Sequence, residues 1–191
     1  YAEAEGVKIE TVADIFCGCG TVALEAKTHN KDFWGCDINP VATLIAKVKS
    51  ESYNVETVKA YFLLISSAYP FTEIDRAAYE NANERLKHWF TQNSYTQLLR
   101  LKTTIEATVH DGKYLDAFYC LFSSILKASS KWLTKSIKPQ IDPNKKEIVV
   151  WDAFVQQYNK FVKSIEQLNG KTGLSSSIVI ENENFLEATD V

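Results

Sequence analysis

Two glycines and one aspartate near the start of the chain have the types and spacing of a nucleotide-binding turn. Gly18 and Gly20 follow a short apolar run that begins at Thr11, and Asp37 ends a second apolar run. Glycine lets the backbone turn sharply and lets a ligand lie close to it. An acid after the second strand is placed to accept the hydroxyl groups of a ribose. The 17 residues from Gly20 to Asp37 are close to the separation expected for that role.

The spacing alone leaves three interpretations of this glycine turn. It is an ordinary strand-to-helix turn, a dinucleotide site or a site for S-adenosylmethionine. NAD is disfavoured, because Ala23 stands where the third glycine of Gly-x-Gly-x-x-Gly is expected. In an S-adenosylmethionine site, the methionine end of the cofactor would lie near the loop and the unpaired N–H groups of the following helix.

Two strand–helix pairs are predicted to position these residues. Residues 11–16 and 32–36 are predicted strands, and residues 21–29 and 40–53 are predicted helices. Asn39 and Pro40 suit the N-cap and the first position of the second helix. From 57 to 170 the apolar residues keep a helical period, with helices predicted at 76–90, 95–109, 114–131 and 148–168. Because a third strand follows only at 177–180, the sequence predicts an α/β unit interrupted by a long helical insertion.

The composition excludes several classes of protein. The 191 residues contain no run of about 18 apolar residues, so no membrane-spanning segment is expected. The cysteines are too few and too irregularly spaced for a disulfide framework, and no second ligand pair accompanies the two nearest ones to make a zinc site. They are Cys17, Cys19, Cys36 and Cys120. We therefore expect a cytoplasmic protein without a metal site.

The charges are distributed unevenly along the chain. Residues 59–173 carry 16 Lys and Arg against 11 Asp and Glu, whereas residues 1–58 with 174–191 carry 5 against 13. The glycine turn therefore lies in an acidic part of the chain and the helical insertion in a mildly basic part. A basic balance permits a polyanionic partner without requiring one.

The sequence DIFCGCGT at residues 14–21 resembles the first motif of the DNA amino-methyltransferases, Asp-Pro-Phe-x-Gly-x-Gly-Thr, with Ile15 in place of proline. The resemblance continues through GCDINP at 35–40 and IAKVK at 45–49. The helical middle is also similar to the insert of some modification methylases. Enzymes of this family transfer a methyl group from S-adenosylmethionine to adenine N6 or cytosine N4 of DNA.

The resemblance implies a partial Rossmann-like methyltransferase fold with a large all-helical insertion. Residues 1–58 and 174–191 would form the cofactor-binding domain, and 59–173 an insertion that recognises or contacts DNA. The implied cofactor residues comprise the glycine loop around the methionine end, the acid for the ribose with its apolar neighbour, and two residues after the third strand for the adenine. They are Asp14, Phe16, Gly18, Gly20, Thr21, Asp37, Ile38, Asn184 and Phe185.

The catalytic motif that the resemblance implies, an acid, amide or serine followed by Pro-Pro and an aromatic residue, does not occur in this sequence. No catalytic residue is therefore assigned. The sequence is interpreted as the N-terminal portion of a DNA methyltransferase, inactive alone, from a restriction–modification or similar system. Two alternatives stay open, an RNA base methyltransferase and a non-catalytic module that keeps the fold and binds a partner.

A basic segment at 131–146 is the candidate for contact with nucleic acid. Its lysines would neutralise phosphates, and they are Lys131, Lys135, Lys138, Lys145 and Lys146. The competing interpretation is an ordinary solvated surface. Trp132, within the segment, is placed either to stack on a base or to pack against a hydrophobic core, and the core is favoured.

Overall fold

The computed structural model describes residues 4–133, 135–169 and 176–187. The chain divides into two compact units, which we call the strand unit (Tyr1–Tyr53 with Ile165–Val191) and the helical unit (Asn54–Ser164). The helical unit is an insertion within the strand unit. Within the strand unit, the side-chain amide of Asn169 donates a 3.2 Å hydrogen bond to the carbonyl of Tyr53. The domain boundaries expected after residues 58 and 173, and the roles of the two domains, stay predictions.

The strand unit contains a small parallel sheet with helices between its strands. In chain order its elements are β1 (Thr11–Asp14), α1 (Thr21–Thr28), β2 (Asp32–Cys36), α2 (Pro40–Ser50) and β3 (Ile178–Glu181), followed by a 3₁₀ turn at Phe185–Glu187. β2 lies in the centre and pairs in parallel with both neighbours. The predicted combination of strands and helices is confirmed for this unit.

The register of the sheet places one apolar side chain from each strand in a row. Val12 lies opposite Phe33, and Phe33 lies opposite Ile178. Small residues on the two helices, Ala23 on α1 and Ala46 on α2, pack on this face with Phe33 buried among them. Because alanine side chains are small, the two helices pack close to the sheet. The loops that join the strands to these helices therefore lie close to the sheet as well.

The described residues of the helical unit form five helices, named α3 to α7, and a 3₁₀ turn. They are α3 (Val55–Ala68), the turn Tyr69–Phe71, α4 (Glu84–Trp89), α5 (Gln92–Thr108), α6 (Gly112–Ser129) and α7 (Val150–Asn169), whose last residues belong to the strand unit. Its core is built from apolar side chains at helical spacing, among them Ile105, Phe118, Ile125 and Phe154. Among the described residues, no helix is long and apolar enough to cross a membrane.

The end predicted for the second helix, at 53, was wrong, since α2 ends at Ser50. Two predicted helix starts were also wrong by three residues or more, and side-chain caps explain both. The helix expected at 76–90 begins only at Glu84, because Asn83 accepts the N–H of Leu86 and starts the helix there. The break expected at Asn93–Ser94 lies earlier. The hydroxyl of Thr91 accepts the N–H of Ser94 at 3.2 Å and caps α5, so both residues are helical.

A candidate cofactor site at the carboxyl edge of the sheet

The glycine loop between β1 and α1 has a backbone that only glycine adopts easily. Gly18 has φ +49° and Gly20 has φ +71°, both in the left-handed region. The N–H of Gly20 donates to the carbonyl of Cys17 at 2.8 Å and closes the turn. A Cβ on Gly20 would lie 2.6 Å from the Cβ of Ala46, so α2 packs directly against the loop. The loop is therefore both turned and tightly enclosed.

The carboxylate of Asp37 joins this loop to the end of β2. Its Oδ2 accepts the N–H of Gly18 at 3.0 Å, and its Oδ1 accepts the N–H of Asn39 at 2.8 Å. Two charge-assisted bonds fix the orientation of the carboxylate. Each oxygen keeps a further lone pair, so the group can accept the two hydroxyls of a ribose without leaving these partners.

Acidic side chains gather at the carboxyl edge of the sheet. Asp14, at the end of β1, accepts the N–H of Phe16 at 3.1 Å. Burial, together with the negative charges of Asp37 and Asp14, raises the pKa of the Cys17 thiol to about 11. The thiol is therefore neutral at physiological pH and is no candidate nucleophile. Glu181 and Glu183 contribute to the raised pKa of Cys36, after burial as the main cause.

Two large apolar side chains beside the acids face solvent. Phe16 is 79 % exposed and Ile38, next to Asp37, is 74 % exposed. Thr21 begins α1, whose N-terminus has no side-chain cap. Phe16 and Ile38 thus offer exposed apolar surface beside the carboxylates of Asp14 and Asp37. Thr21 marks the uncapped start of α1 at the same edge.

After β3 the side chain of Asn184 bonds within its own turn, and the adenine contacts expected of Asn184 and Phe185 stay predictions. Asn184 accepts the N–H of Leu186 at 3.2 Å and donates to Glu187, so its side chain organises the 3₁₀ turn that begins at Phe185. The side-chain amide of Asn182 instead donates to the backbone carbonyl of Asp37 at 2.9 Å. Sequence reasoning missed Asn182, although it lies two residues after the strand predicted at 177–180.

The basic segment forms a short hairpin in the helical unit. Trp132 and Ile141 pair antiparallel, and the N–H of Leu133 donates to the carbonyl of Gln140 at 2.8 Å. The indole of Trp132 stacks on Trp89, with ring centroids 5.2 Å apart. Trp132 therefore packs at the base of the hairpin and does not project from it.

The five lysines of the segment fall into two groups. Lys131 donates to the carbonyl of Lys87 at 2.9 Å, and Lys145 donates to the carbonyls of Lys127 and Trp132, both at 2.9 Å. Desolvation lowers the pKa of Lys145. The other three, Lys135, Lys138 and Lys146, are exposed, as is Ile137 at 96 %. Two lysines hold the hairpin, and three are available to a partner.

A comparison with protein families identifies the chain. A model of the D12 class N6 adenine-specific DNA methyltransferase family matches residues 2–138, well over half of the sequence. The match covers the glycine loop, the acid after β2 and most of the helical unit. No curated protein and no solved structure matches the chain. The protein belongs to the D12 class of N6 adenine-specific DNA methyltransferases.

Proposed function

We propose that the strand unit binds S-adenosylmethionine as the cofactor-binding part of a Rossmann-like DNA adenine methyltransferase that serves a restriction–modification or similar system. The observation that carries the proposal is the Asp37 carboxylate, held between the N–H groups of Gly18 and Asn39. The ribose would bind there. Ile38 and Phe16 would offer apolar surface to the adenosine and methionine parts.

The charge of this edge suits the cofactor. S-adenosylmethionine carries a sulfonium and an ammonium group against one carboxylate, so it is a net cation. Asp14, Asp37, Glu181 and Glu183 provide negative charge near the carboxyl ends of the strands. Opposite charges at short range favour binding. The carboxylate of the cofactor would lie against the uncapped first turn of α1, where unpaired N–H groups attract an anion.

The chemistry divides between the cofactor and the protein. S-adenosylmethionine supplies the methyl group, and the residues of the strand unit bind and orient it. Since the Pro-Pro motif implied by the resemblance is absent from these residues, no step of methyl transfer is assigned to them. Their contribution is to hold the cofactor at a fixed edge, where correct orientation lowers the barrier to transfer.

Isothermal titration with S-adenosylmethionine tests the proposal. We expect saturable binding by the full-length protein, with competition by S-adenosylhomocysteine, and transfer of labelled methyl groups to the adenine of duplex DNA. The absence of cofactor binding would refute the proposal. Transfer to RNA but not to DNA would keep the cofactor site and reject the DNA substrate.

The exposed lysines of the hairpin are the proposed DNA contact of the helical unit. Lys135 and Lys138 lie near its tip on either side of exposed Ile137. The hydrogen bonds from Lys131 and Lys145 to backbone carbonyls give the hairpin a fixed shape. A fixed loop with exposed cations is suited to phosphates, because little order is lost on binding.

Removing the two tip charges should weaken DNA binding and make the remaining affinity less dependent on salt. In the double variant Lys135→Gln and Lys138→Gln, the slope of log K against log salt should fall by about two, one unit for each lost phosphate contact. Fluorescence anisotropy with labelled duplexes measures it. The matched control is Lys160→Gln with Lys163→Gln, an equal loss of charge from exposed positions of α7. Equal slopes for the two double variants would contradict the proposed contact.

A further inference from the structure

Helix α2 contacts the glycine loop at two points on one of its faces. Ala46 packs against Gly20, and one turn later the ammonium of Lys49 donates to the carbonyl of Cys19 at 3.0 Å. Residues three apart on a helix lie on the same side. The side chain of Lys49 therefore reaches the loop from the same face of α2 that packs against it.

The bond from Lys49 fixes one particular peptide group. The peptide between Cys19 and Gly20 has its carbonyl bonded to Lys49 and its N–H bonded to the carbonyl of Cys17 at 2.8 Å. A peptide held on both sides cannot rotate without breaking both bonds. Rotation would change φ of Gly20, which is +71°, and Gly20 is the N-cap of α1. The direction of the first N–H groups of α1 thus depends on this peptide.

We propose that Lys49 is a positioning residue for the methionine end of the cofactor, acting through the Cys19 carbonyl. The inference rests on the proposed function, since it assigns a role within the same site. The two ends of the cofactor would then depend on different anchors. Asp37 would hold the ribose, and Lys49 would hold the loop and helix start that receive the methionine carboxylate.

This separation gives a test with two ligands. 5′-Methylthioadenosine contains the adenosine part of the cofactor and lacks the amino-acid carboxylate and amine. In Lys49→Met, titration calorimetry should show S-adenosylmethionine affinity reduced by about three- to ten-fold, the effect of one net hydrogen bond. The affinity for 5′-methylthioadenosine should stay at the wild-type value. Asp37→Ala, in contrast, should weaken both ligands.

The chain provides a matched control on the same helix. Lys47 is exposed, lies two residues from Lys49 and so points to a different side of α2. Lys47→Met should leave both affinities unchanged, and Lys49→Arg should restore most of the S-adenosylmethionine affinity because a guanidinium can donate to the same carbonyl. A general loss of structure would weaken both ligands together.

Two results would overturn the inference, and they are distinguishable from failure of the proposed function. If the wild-type protein binds both ligands and Lys49→Met weakens neither, or weakens both equally, Lys49 does not position the methionine end. If the wild-type protein binds neither ligand, the cofactor site itself is refuted, and the role of Lys49 is refuted with it.

Discussion

Replacing Asp37 with asparagine should reduce the affinity for S-adenosylmethionine by roughly ten- to a hundred-fold, the range for losing a hydrogen bond to a charged group. The carboxylate accepts the N–H groups of Gly18 and Asn39 with its two oxygens. An asparagine side chain has one oxygen and one NH₂ group, so one backbone N–H would face another donor. The negative charge that attracts the cationic cofactor is lost as well. Isothermal titration calorimetry measures the change.

The appropriate control lies at the other end of the same strand. The side chain of Asp32 also accepts a backbone N–H, that of Ser177, at 2.8 Å. Asp32→Asn therefore makes the same chemical change at the amino edge of the sheet, and its cofactor affinity should remain within about two-fold of the wild type, since surface changes away from a site have small effects. If Asp37→Asn binds S-adenosylmethionine as tightly as Asp32→Asn does, the ribose does not bind at Asp37.

Replacing Gly20 with alanine should destabilise the strand unit by about 2–4 kcal/mol, from the left-handed backbone and the overpacked contact together. The new Cβ would lie 2.6 Å from the Cβ of Ala46 and 2.7 Å from its Cα, so the helix backbone itself must move. Hydrogen exchange of the β1 and β2 amides measures the effect, because those amides belong to this unit. Cofactor binding should be lost together with amide protection.

A comparison with Gly18→Ala distinguishes the cost of backbone strain from the cost of the close contact with α2. It also has positive φ, +49°, but a Cβ there would meet only the carbonyl oxygen of Phe16 at an ordinary 3.9 Å. Gly18→Ala should therefore lower the free energy of unfolding of the strand unit by only about 1–2 kcal/mol, the cost of the left-handed backbone. Equal losses of protection in the two variants would mean that the close approach of α2 contributes nothing.

The strand unit was the part most accessible to sequence reasoning, because its signals are local. The bounds predicted for β2 agree with Asp32–Cys36, and α2 begins where Asn39 and Pro40 indicate. Asn39 accepts the N–H of Val41 at 3.0 Å, as a cap does. Alternating apolar residues, glycines and caps determine structure within a few positions of the chain. The elements that they form can therefore be predicted from the local sequence alone.

Contacts between residues that are distant in the sequence could not be predicted in this way. No hairpin was predicted for the basic segment, and what organises it is the stacking of Trp132 on Trp89, a residue distant in the sequence. Lys131 and Lys145 could not be distinguished from Lys138 by composition, because only the folded backbone brings carbonyls within their reach. Asn182 was likewise missed because its partner, the carbonyl of Asp37, is 145 positions away.

The separation between β2 and β3 also determines the order in which this site is assembled. The hydrogen bond from Trp34 to Glu181 joins residues 147 positions apart, and closing so long a loop in an unfolded chain costs about 4 kcal/mol in entropy. β1, α1 and β2 pair over short distances and can associate first. On a ribosome, the helical unit emerges before β3. We therefore expect the glycine loop to form early and the edge that carries Asn182 to be added in a late, slow step of folding.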